Sequence, residues 1–208
     1  VKVVGGGGGV IVPAEIERLR KSGVHIFSPE DGQRLGLAAM VNSVVADCDF
    51  DLWSSGSVTS EQVLSGDRHA VARAITGAEA GELDAATLEE IRTAAGRRTV
   101  PVLGITGTGG SGKSSLTDEL VRRFRVDQQD KLRIAIIAVD PTRRKGGGAL
   151  LGDRIRANSL DGDRVFFRSL ATRGAHEVPE HLGDVVDVMK ASGFDLVIVE
   201  TPGIGQGD

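Results

Sequence analysis

The chain has 208 residues, a formal net charge of −4 at pH 7 and an aromatic content of only 3%. This length allows one large or two small domains, and the acidic balance argues against nucleic acid as the main partner. A single cysteine excludes an internal disulfide, no apolar run is long enough to cross a membrane, and both observations fit a cytoplasmic setting without a membrane partner.

Residues 1–52 are predicted to form a first α/β unit. The pattern predicts a strand, a helix, a strand, a turn and a helix, at Val1–Val4, 10–22, Val24–Phe27, Pro29–Gly32 and Leu35–Cys48. This alternation indicates parallel strands in an open sheet. Two strands are too few for a stable sheet with both faces covered. Because the chain also begins with valine, we expect a fragment of a longer polypeptide.

A run of five glycines, Gly5–Gly9, follows the first predicted strand. It does not match the G-x-G-x-x-G pattern with an acid at the right distance, so a dinucleotide site is a weak interpretation. A flexible turn is one alternative. The other is a surface where the backbone lies against a flat ligand, because glycine has no side chain that would keep the ligand away.

Residues 53–98 have a different composition. A polar stretch that begins at Trp53 predicts a linker. Gln62–Glu79 and Ala85–Ala95 then predict two helices, for which Asp67 and Asp84 are candidate N-caps. We expect this segment to be a helical lead-in to the domain that follows.

Residues 99–208 are predicted to form a second α/β domain, a P-loop NTPase with a doubly wound, mostly parallel sheet. Helices are predicted after residue 113 and over Val178–Ala191. The predicted strands are Val100–Ile105, Leu132–Val139, Val165–Phe167 and Leu196–Val199. Two of these strands end at acidic residues, Asp140 and Glu200. In open α/β sheets, ligands bind outside the carboxyl ends of the strands.

The residues from Gly107 to Ser114 read GTGGSGKS and match G-x-x-x-x-G-K-[ST] between a predicted strand and a predicted helix. Glycines let successive backbone N–H groups point into one concavity, and the helix adds the positive end of its dipole. Lys113 then reaches the β- and γ-phosphates, and the Ser114 hydroxyl ligates Mg²⁺. The candidate nucleotide-binding residues of the loop are Gly109, Gly110, Ser111, Gly112, Lys113, Ser114 and Ser115. For Ser115, an ordinary serine at a helix start is an equal alternative.

Acidic residues outside the loop complete the predicted site. Glu200 is interpreted as a metal-site and catalytic acid, and the Gly203 N–H as a sensor of the γ-phosphate. Asp140 is a candidate for the outer shell of the metal. Asp153 is a candidate metal-site and catalytic residue, with a helix cap or surface role as an equal alternative. Arg173 is either a transition-state cation or, more commonly, a solvated loop arginine.

Several segments resemble the MeaB/ArgK-type G-protein chaperones that service adenosylcobalamin-dependent mutases. The resemblance rests on residues 66–76 (GDRHAVARAIT), on residues 139–142 followed by 147–154, and on residues 200–206 (ETPGIGQ). By matching motifs, the family implies that Lys113 and Ser114 contact phosphate and metal, and that Asp140, Asp153 and Glu200 surround magnesium. It also implies GTP as the nucleotide.

Residues 1–52 resemble the C-terminal half of a flavodoxin-like cobalamin-binding domain, in which Gly5, Gly6 and Gly7 would contact the nucleotide tail of the cofactor. A cobalamin domain followed by this G domain is the order found in the family of fused isobutyryl-CoA mutases. That family implies adenosylcobalamin, a mutase domain that binds an acyl-CoA, a homodimeric full-length protein, and interconversion of isobutyryl-CoA and n-butyryl-CoA. It further implies that GTP hydrolysis gates loading and repair of the cofactor.

Two elements of that family are not found in the sequence: the D-x-H-x-x-G element with the cobalt-ligating histidine and the N-K-x-D element that selects guanine. We therefore expect that this chain alone does not isomerise a substrate. A free-standing mutase-associated GTPase, with residues 1–52 as an incidental appendage, is the alternative. A third hypothesis is a binding module that holds nucleotide without useful turnover.

Overall fold

The computed structural model describes residues 2–6, 11–50, 56–141, 159–160, 162–172 and 178–204. The chain divides into two compact units, Val1–Ser55 and Gly56–Asp208. Among the described helices, none combines the length and the apolar character needed to span a bilayer.

The first unit contains two parallel strands, β1 (Val3–Gly6) and β2 (Val24–Phe27), which pair with Val3 opposite Val24. Helix α1 (Pro13–Lys21) lies between the two strands in the chain, and parallel strands need a crossover connection of this kind. Helix α2 (Pro29–Cys48) follows β2, and none of its residues is buried.

The predicted turn at Pro29–Gly32 is wrong, because α2 begins at Pro29. Ser28 is the N-cap: its hydroxyl accepts from the Asp31 N–H at 3.1 Å, and the Asp31 carboxylate accepts from the Ser28 N–H at 3.0 Å. This hydrogen bond from Ser28 holds the pKa of Asp31 below its ordinary value. Proline at the first helical position lacks only an N–H that would have no helical partner, so it favours the helix start. The conformational break comes later, at Gly36, where φ is 69°.

The second unit begins with three helices, α3 (Ser60–Leu64), α4 (Arg68–Ala80) and α5 (Ala85–Gly96). The predicted single helix over Gln62–Glu79 is therefore two. Gly66 separates them with a φ of 76°, and a Cβ there would lie 3.0 Å from the Ser192 carbonyl oxygen. The two predicted N-caps are confirmed: Asp67 accepts from the Ala70 N–H, and Asp84 accepts from the Thr87 N–H.

Among the described residues of this unit, four parallel strands form a sheet in the order β3-β6-β4-β5. In chain order they are β3 (Val102–Thr108), β4 (Ile134–Pro141), β5 (Val165–Thr172) and β6 (Leu196–Ile204), with helix α6 (Lys113–Asp127) after β3 and helix α7 (Leu182–Ala191) before β6. Strands β5 and β6 extend further than predicted. The α/β class with a parallel sheet is confirmed.

Aliphatic residues on both faces of β4 form a large part of the core of the second unit. Ile134 and Ile136 pack in one cluster with Val121 of α6, and the alternate residues Ala135 and Ile137 are also buried. A strand buried on both faces is a continuous apolar run. This packing fixes α6 against the sheet and so places the start of α6 at the carboxyl ends of β3 and β6.

Candidate nucleotide site

The GTGGSGKS loop lies where the pattern predicts, between β3 and α6. Gly110 and Gly112 have φ values of 75° and 84°, in the left-handed region that glycine adopts at little cost. The backbone therefore curls ahead of α6, and the N-terminus of that helix points at the mouth of the loop. This is the arrangement that binds anions through backbone N–H groups and the helix dipole.

Lys113 is the first residue of α6 and turns back over the loop. Its ammonium group donates to the carbonyl oxygens of Gly107 at 3.3 Å and Thr108 at 3.1 Å. A Cβ at Gly107 would come within 3.0 Å of the Ser111 hydroxyl oxygen, so the loop closes tightly on itself. The lysine charge is thus held beside the concavity that a phosphate would enter.

Glu200 lies on β6 and reaches across to α6. Its Oε1 is 2.5 Å from the Ser114 hydroxyl, and its Oε2 is 2.9 Å from the Thr117 hydroxyl. The side chain is only 8% exposed. Burying a carboxylate is costly unless hydrogen bonds compensate it, and here each oxygen has a hydroxyl partner from the same helix.

Asp140 lies on the neighbouring strand, β4. Glu200 pairs in register with Ala138, two residues before Asp140, so both acids lie near the carboxyl end of the sheet. Asp140 is 6% exposed. Hydroxyl and carboxylate oxygens are the ligands that Mg²⁺ prefers, and Mg²⁺ usually keeps several waters and binds only one or two protein carboxylates. The donor set of Ser114, Glu200 and Asp140 fits that ion.

No cluster of three or more His, Cys, Asp or Glu side chains that could hold a metal occurs within the described ranges. A magnesium site completed by phosphates needs no such cluster. Asp153 and Arg173 lie outside the described residues.

Gly203 lies beside the loop. Strand β6 continues past Glu200, and its Gly203 pairs in register with Gly107 of β3 after an irregularity between Ile105 and Gly107. Gly203 is buried. The structure therefore brings Gly203 to the first glycine of the loop.

The remaining predicted contact residues for the nucleotide and for the cofactor tail, apart from Gly7, are described, and their environments differ. Gly109, Ser111 and Ser115 are exposed at the loop and the start of α6. In the first unit, Gly5 and Gly6 lie in β1, and a Cβ at Gly5 would be 3.1 Å from Cδ1 of Ile26. Gly7 lies outside the described residues.

Thr117 is the site residue that the sequence reading missed. It is 5% exposed on α6, three residues after Ser114. Residues three apart lie on one face of a helix, so a hydroxyl at this spacing from the predicted metal ligand was the available signal. Only the packing of α6 against β6 shows that Thr117 faces Glu200.

Parallel strands, the loop and the acids at the strand ends define a P-loop nucleotide-binding protein. A family model described as Methylmalonyl Co-A mutase-associated GTPase MeaB matches residues 71–208. The chain belongs to this MeaB family of GTPases. A solved structure titled LAO/AO transport system kinase is similar, with a TM-score of 0.51 and 26% identity over 71% of this chain and 43% of that one.

Curated relatives extend the similarity to the first unit. A fused isobutyryl-CoA mutase from Nocardia farcinica is 68% identical over 208 residues, all of this chain and 19% of that protein. The fused isobutyryl-CoA mutase of Cupriavidus metallidurans is 57% identical, again over all of this chain and 19% of the relative. A putative GTPase from Pyrococcus horikoshii is 42% identical over 70% of this chain and 45% of its own length. The chain thus spans about a fifth of the fused mutases that it resembles.

Proposed function

We propose that this chain binds GTP with Mg²⁺ and hydrolyses it, as the G-protein part of a fused isobutyryl-CoA mutase. The observation that carries the proposal is the contact between Glu200 and Ser114 across β6 and α6. It joins an acid at a strand end to the hydroxyl that follows the loop lysine. The proposal also rests on membership of the MeaB family and on the 68% identity to a fused mutase.

In this proposal Lys113 exchanges the loop carbonyls for phosphate oxygens. Ser114 would hold the metal ion through a lone pair of its hydroxyl oxygen while its O–H donates to Glu200, and Asp140 would stand at the outer shell. Bound Mg²⁺ neutralises charge that develops on the phosphates. The Gly203 N–H would contact the γ-phosphate, and Asp153 stays a proposed metal-site and catalytic residue.

The wider activity is proposed from the relatives. Their similarity includes residues 1–52, so we propose that Gly5, Gly6 and Gly7 line the nucleotide tail of adenosylcobalamin. The acyl-CoA would bind in a mutase domain, with GTP hydrolysis gating cofactor loading and repair. We also propose that the full-length protein is a homodimer located in the cytoplasm.

The second candidate is a free-standing mutase-associated GTPase. The match to the Pyrococcus horikoshii protein, which covers 70% of this chain, favours it. The two candidates differ in one assay. The assay needs the full-length protein: a fused mutase converts isobutyryl-CoA in the presence of adenosylcobalamin, whereas a free-standing GTPase converts none without an added mutase.

The hydrolysis itself is tested by Lys113→Ala in the intact protein. We expect phosphate release from GTP to fall by about 100-fold or more, as for loss of a single transition-state donor, because the phosphate charge loses its main cation. Lys131→Ala is the matched control, since Lys131 is an exposed lysine after the end of α6.

Equal rates for Lys113→Ala and the wild type would refute the proposal. Calorimetry with GTP and ATP, each with and without Mg²⁺, decides the nucleotide. The proposal requires binding heat when GTP is titrated with magnesium. Binding heat with ATP but not with GTP would overturn the guanine assignment.

A further inference from the structure

We infer that Thr117 is a positioning residue for Glu200, an inference that rests on the proposed function and deepens it. Thr117 and Glu200 are 83 positions apart in the chain, yet their side chains meet at 2.9 Å. Both are nearly buried, at 5% and 8% exposed. The Thr117 hydroxyl touches the Glu200 carboxylate from the side of α6.

The Thr117 hydroxyl has one proton and two acceptors within reach. They are Oε2 of Glu200 at 2.9 Å and the backbone carbonyl oxygen of Lys113 at 3.1 Å. Lys113 lies four residues before Thr117 in α6, so its carbonyl oxygen already accepts the backbone N–H of Thr117. If the proton pointed at that carbonyl, the hydroxyl oxygen would face a carboxylate oxygen, lone pairs against lone pairs. The Thr117 O–H therefore donates its hydrogen bond to the Glu200 carboxylate.

The two carboxylate oxygens of Glu200 then have different hydrogen-bond partners. Oε1 contacts Ser114, the residue that the proposed function assigns to the metal. Oε2 contacts Thr117, which lies one helical turn further along α6. If Ser114 coordinates a metal ion, the hydrogen bond from Thr117 would still hold the Glu200 carboxylate beside Ser114.

Threonine suits this task better than serine. Its β-branch restricts χ1 in a helix, and its hydroxyl favours the rotamers that reach the carbonyl of the preceding turn. The same rotamer presents the hydroxyl to Glu200. The hydroxyl is thus held in place before nucleotide arrives, which lowers the entropic cost of ordering the acid.

The test is Thr117→Val in the intact protein, which keeps the branched shape and removes the hydroxyl. We expect kcat for GTP hydrolysis to fall by about 10-fold, and the Mg²⁺ concentration for half-maximal rate to rise by a similar factor, as for loss of a partner behind a metal ligand. Nucleotide affinity measured without Mg²⁺ should stay within about 2-fold, because the loop amides and Lys113 are untouched. Thr117→Ser, which restores a hydroxyl, should recover most of the rate.

Thr76→Val is the matched control for the helical role of the hydroxyl. Thr76 also bonds back to the carbonyl four residues earlier, Ala72, at 3.1 Å, and is far from the loop in α4. Its hydroxyl also accepts a hydrogen bond from Arg168. The variant therefore removes stabilising hydrogen bonds of a helical threonine without removing a contact to Glu200. Its magnesium dependence should equal that of the wild type.

A double-mutant cycle shows whether Thr117 acts through Glu200. If it does, Thr117→Val has little further effect in the Glu200→Ala background. An unchanged magnesium dependence in folded Thr117→Val, or an equal further loss in the Glu200→Ala background, would overturn the inference. If Thr117→Val does not fold, Thr117→Ser decides: a wild-type rate and magnesium dependence support the hydroxyl role, and a 10-fold loss overturns it.

The inference and the proposed function fail in different ways. Wild-type protein that releases no phosphate, or that equals Lys113→Ala, contradicts the proposed function. Wild-type protein that depends on Lys113 but not on Thr117 contradicts the inference alone.

Discussion

Gly112 connects the phosphate-binding loop to α6 and has a φ of 84°. No described atom lies within 4 Å of the position that a Cβ would take there. Space is therefore available for a methyl group, and the need for glycine is a property of the backbone alone. A residue with a side chain in this conformation is strained by about 1–2 kcal/mol.

We expect Gly112→Ala to weaken GTP binding because relief of that strain turns the loop N–H groups away from the concavity. Calorimetry of the intact protein with GTP and Mg²⁺ measures the loss of affinity. The affinity should fall by about 10-fold or more if GTP binding has to restore most of the strained conformation. Gly104→Ala in β3 is the control, since its Cβ also meets no described atom and its φ is not positive. Equal affinities for both variants would contradict the strain argument.

At the scale of elements, α7 carries carboxylates against the lead-in helices. Asp184 is 14% exposed and accepts from Arg92 of α5 at 2.7 Å. Its hydrogen bond raises the pKa of Arg92 above the ordinary value. Asp187, one turn further, lies 3.9 Å from the ammonium group of Lys190. Burial raises the pKa of Asp187, the Lys190 charge opposes that shift, and the nearby Asp184 charge adds to it.

The raised pKa of Asp187 makes this group lower the free energy of unfolding by an amount that depends on pH. The folded chain binds more protons at this group than the unfolded chain does, so the free energy of unfolding falls as pH rises from about 4 through the raised pKa. We expect Asp187→Asn to be more stable than the wild type at pH 7, with the difference shrinking toward pH 4. Urea denaturation of the 208-residue chain at both pH values measures this.

The control for that series is Glu89→Gln, because the Glu89 side chain is 72% exposed and lies 4.0 Å from Arg92. Exposed ion pairs contribute little to stability. A gain for Asp187→Asn that is the same at pH 4 and pH 7 would show that titration is not its cause.

At the scale of the whole molecule, residues 56–98 belong to the compact unit of the loop and the sheet. Arginine side chains connect the two parts. Arg98 donates to the carbonyl oxygen of Lys190 at 2.8 Å, and Arg168 of β5 contacts Glu79 of α4 at 2.6 Å. The lead-in is thus part of the framework that supports α7 and β6, the strand that carries Glu200.

We expect Arg98→Ala to loosen the end of α7, because the last carbonyls of that helix lose a charged donor worth about 2 kcal/mol. Hydrogen exchange of the α7 amides in the intact protein should become faster, while GTP affinity stays unchanged. Arg97→Ala is the matched control, since the neighbouring Arg97 is exposed. Unchanged exchange in Arg98→Ala would show that this contact does not support α7.

Local patterns predicted more of the fold than of the packing. The loop, the two N-caps at Asp67 and Asp84, and β2 were read from short stretches because each depends on neighbouring residues. The start of α2 was misread, since proline and glycine within PEDG are turn formers as well as helix-start residues. The Ser28–Asp31 capping box was the overlooked signal.

The lengths of β5 and β6 depend on partners elsewhere in the chain. Pro202 and Gly203 have low strand propensity, yet β6 continues through them because β3 pairs alongside. Pairing of this kind is decided by sheet geometry rather than by propensity. The same geometry places Gly203 beside Gly107, which no spacing in the sequence reveals.

The amino-acid sequence by itself determined the class of the site, because G-x-x-x-x-G-K-S combines positive φ, a helix start and a cation within eight neighbouring residues. The tertiary structure alone decided which acid meets the loop and through which atoms. Glu200 and its two hydroxyl partners lie more than 80 residues apart along the chain. Only the burial of α6 against a parallel sheet brings them within hydrogen-bonding distance.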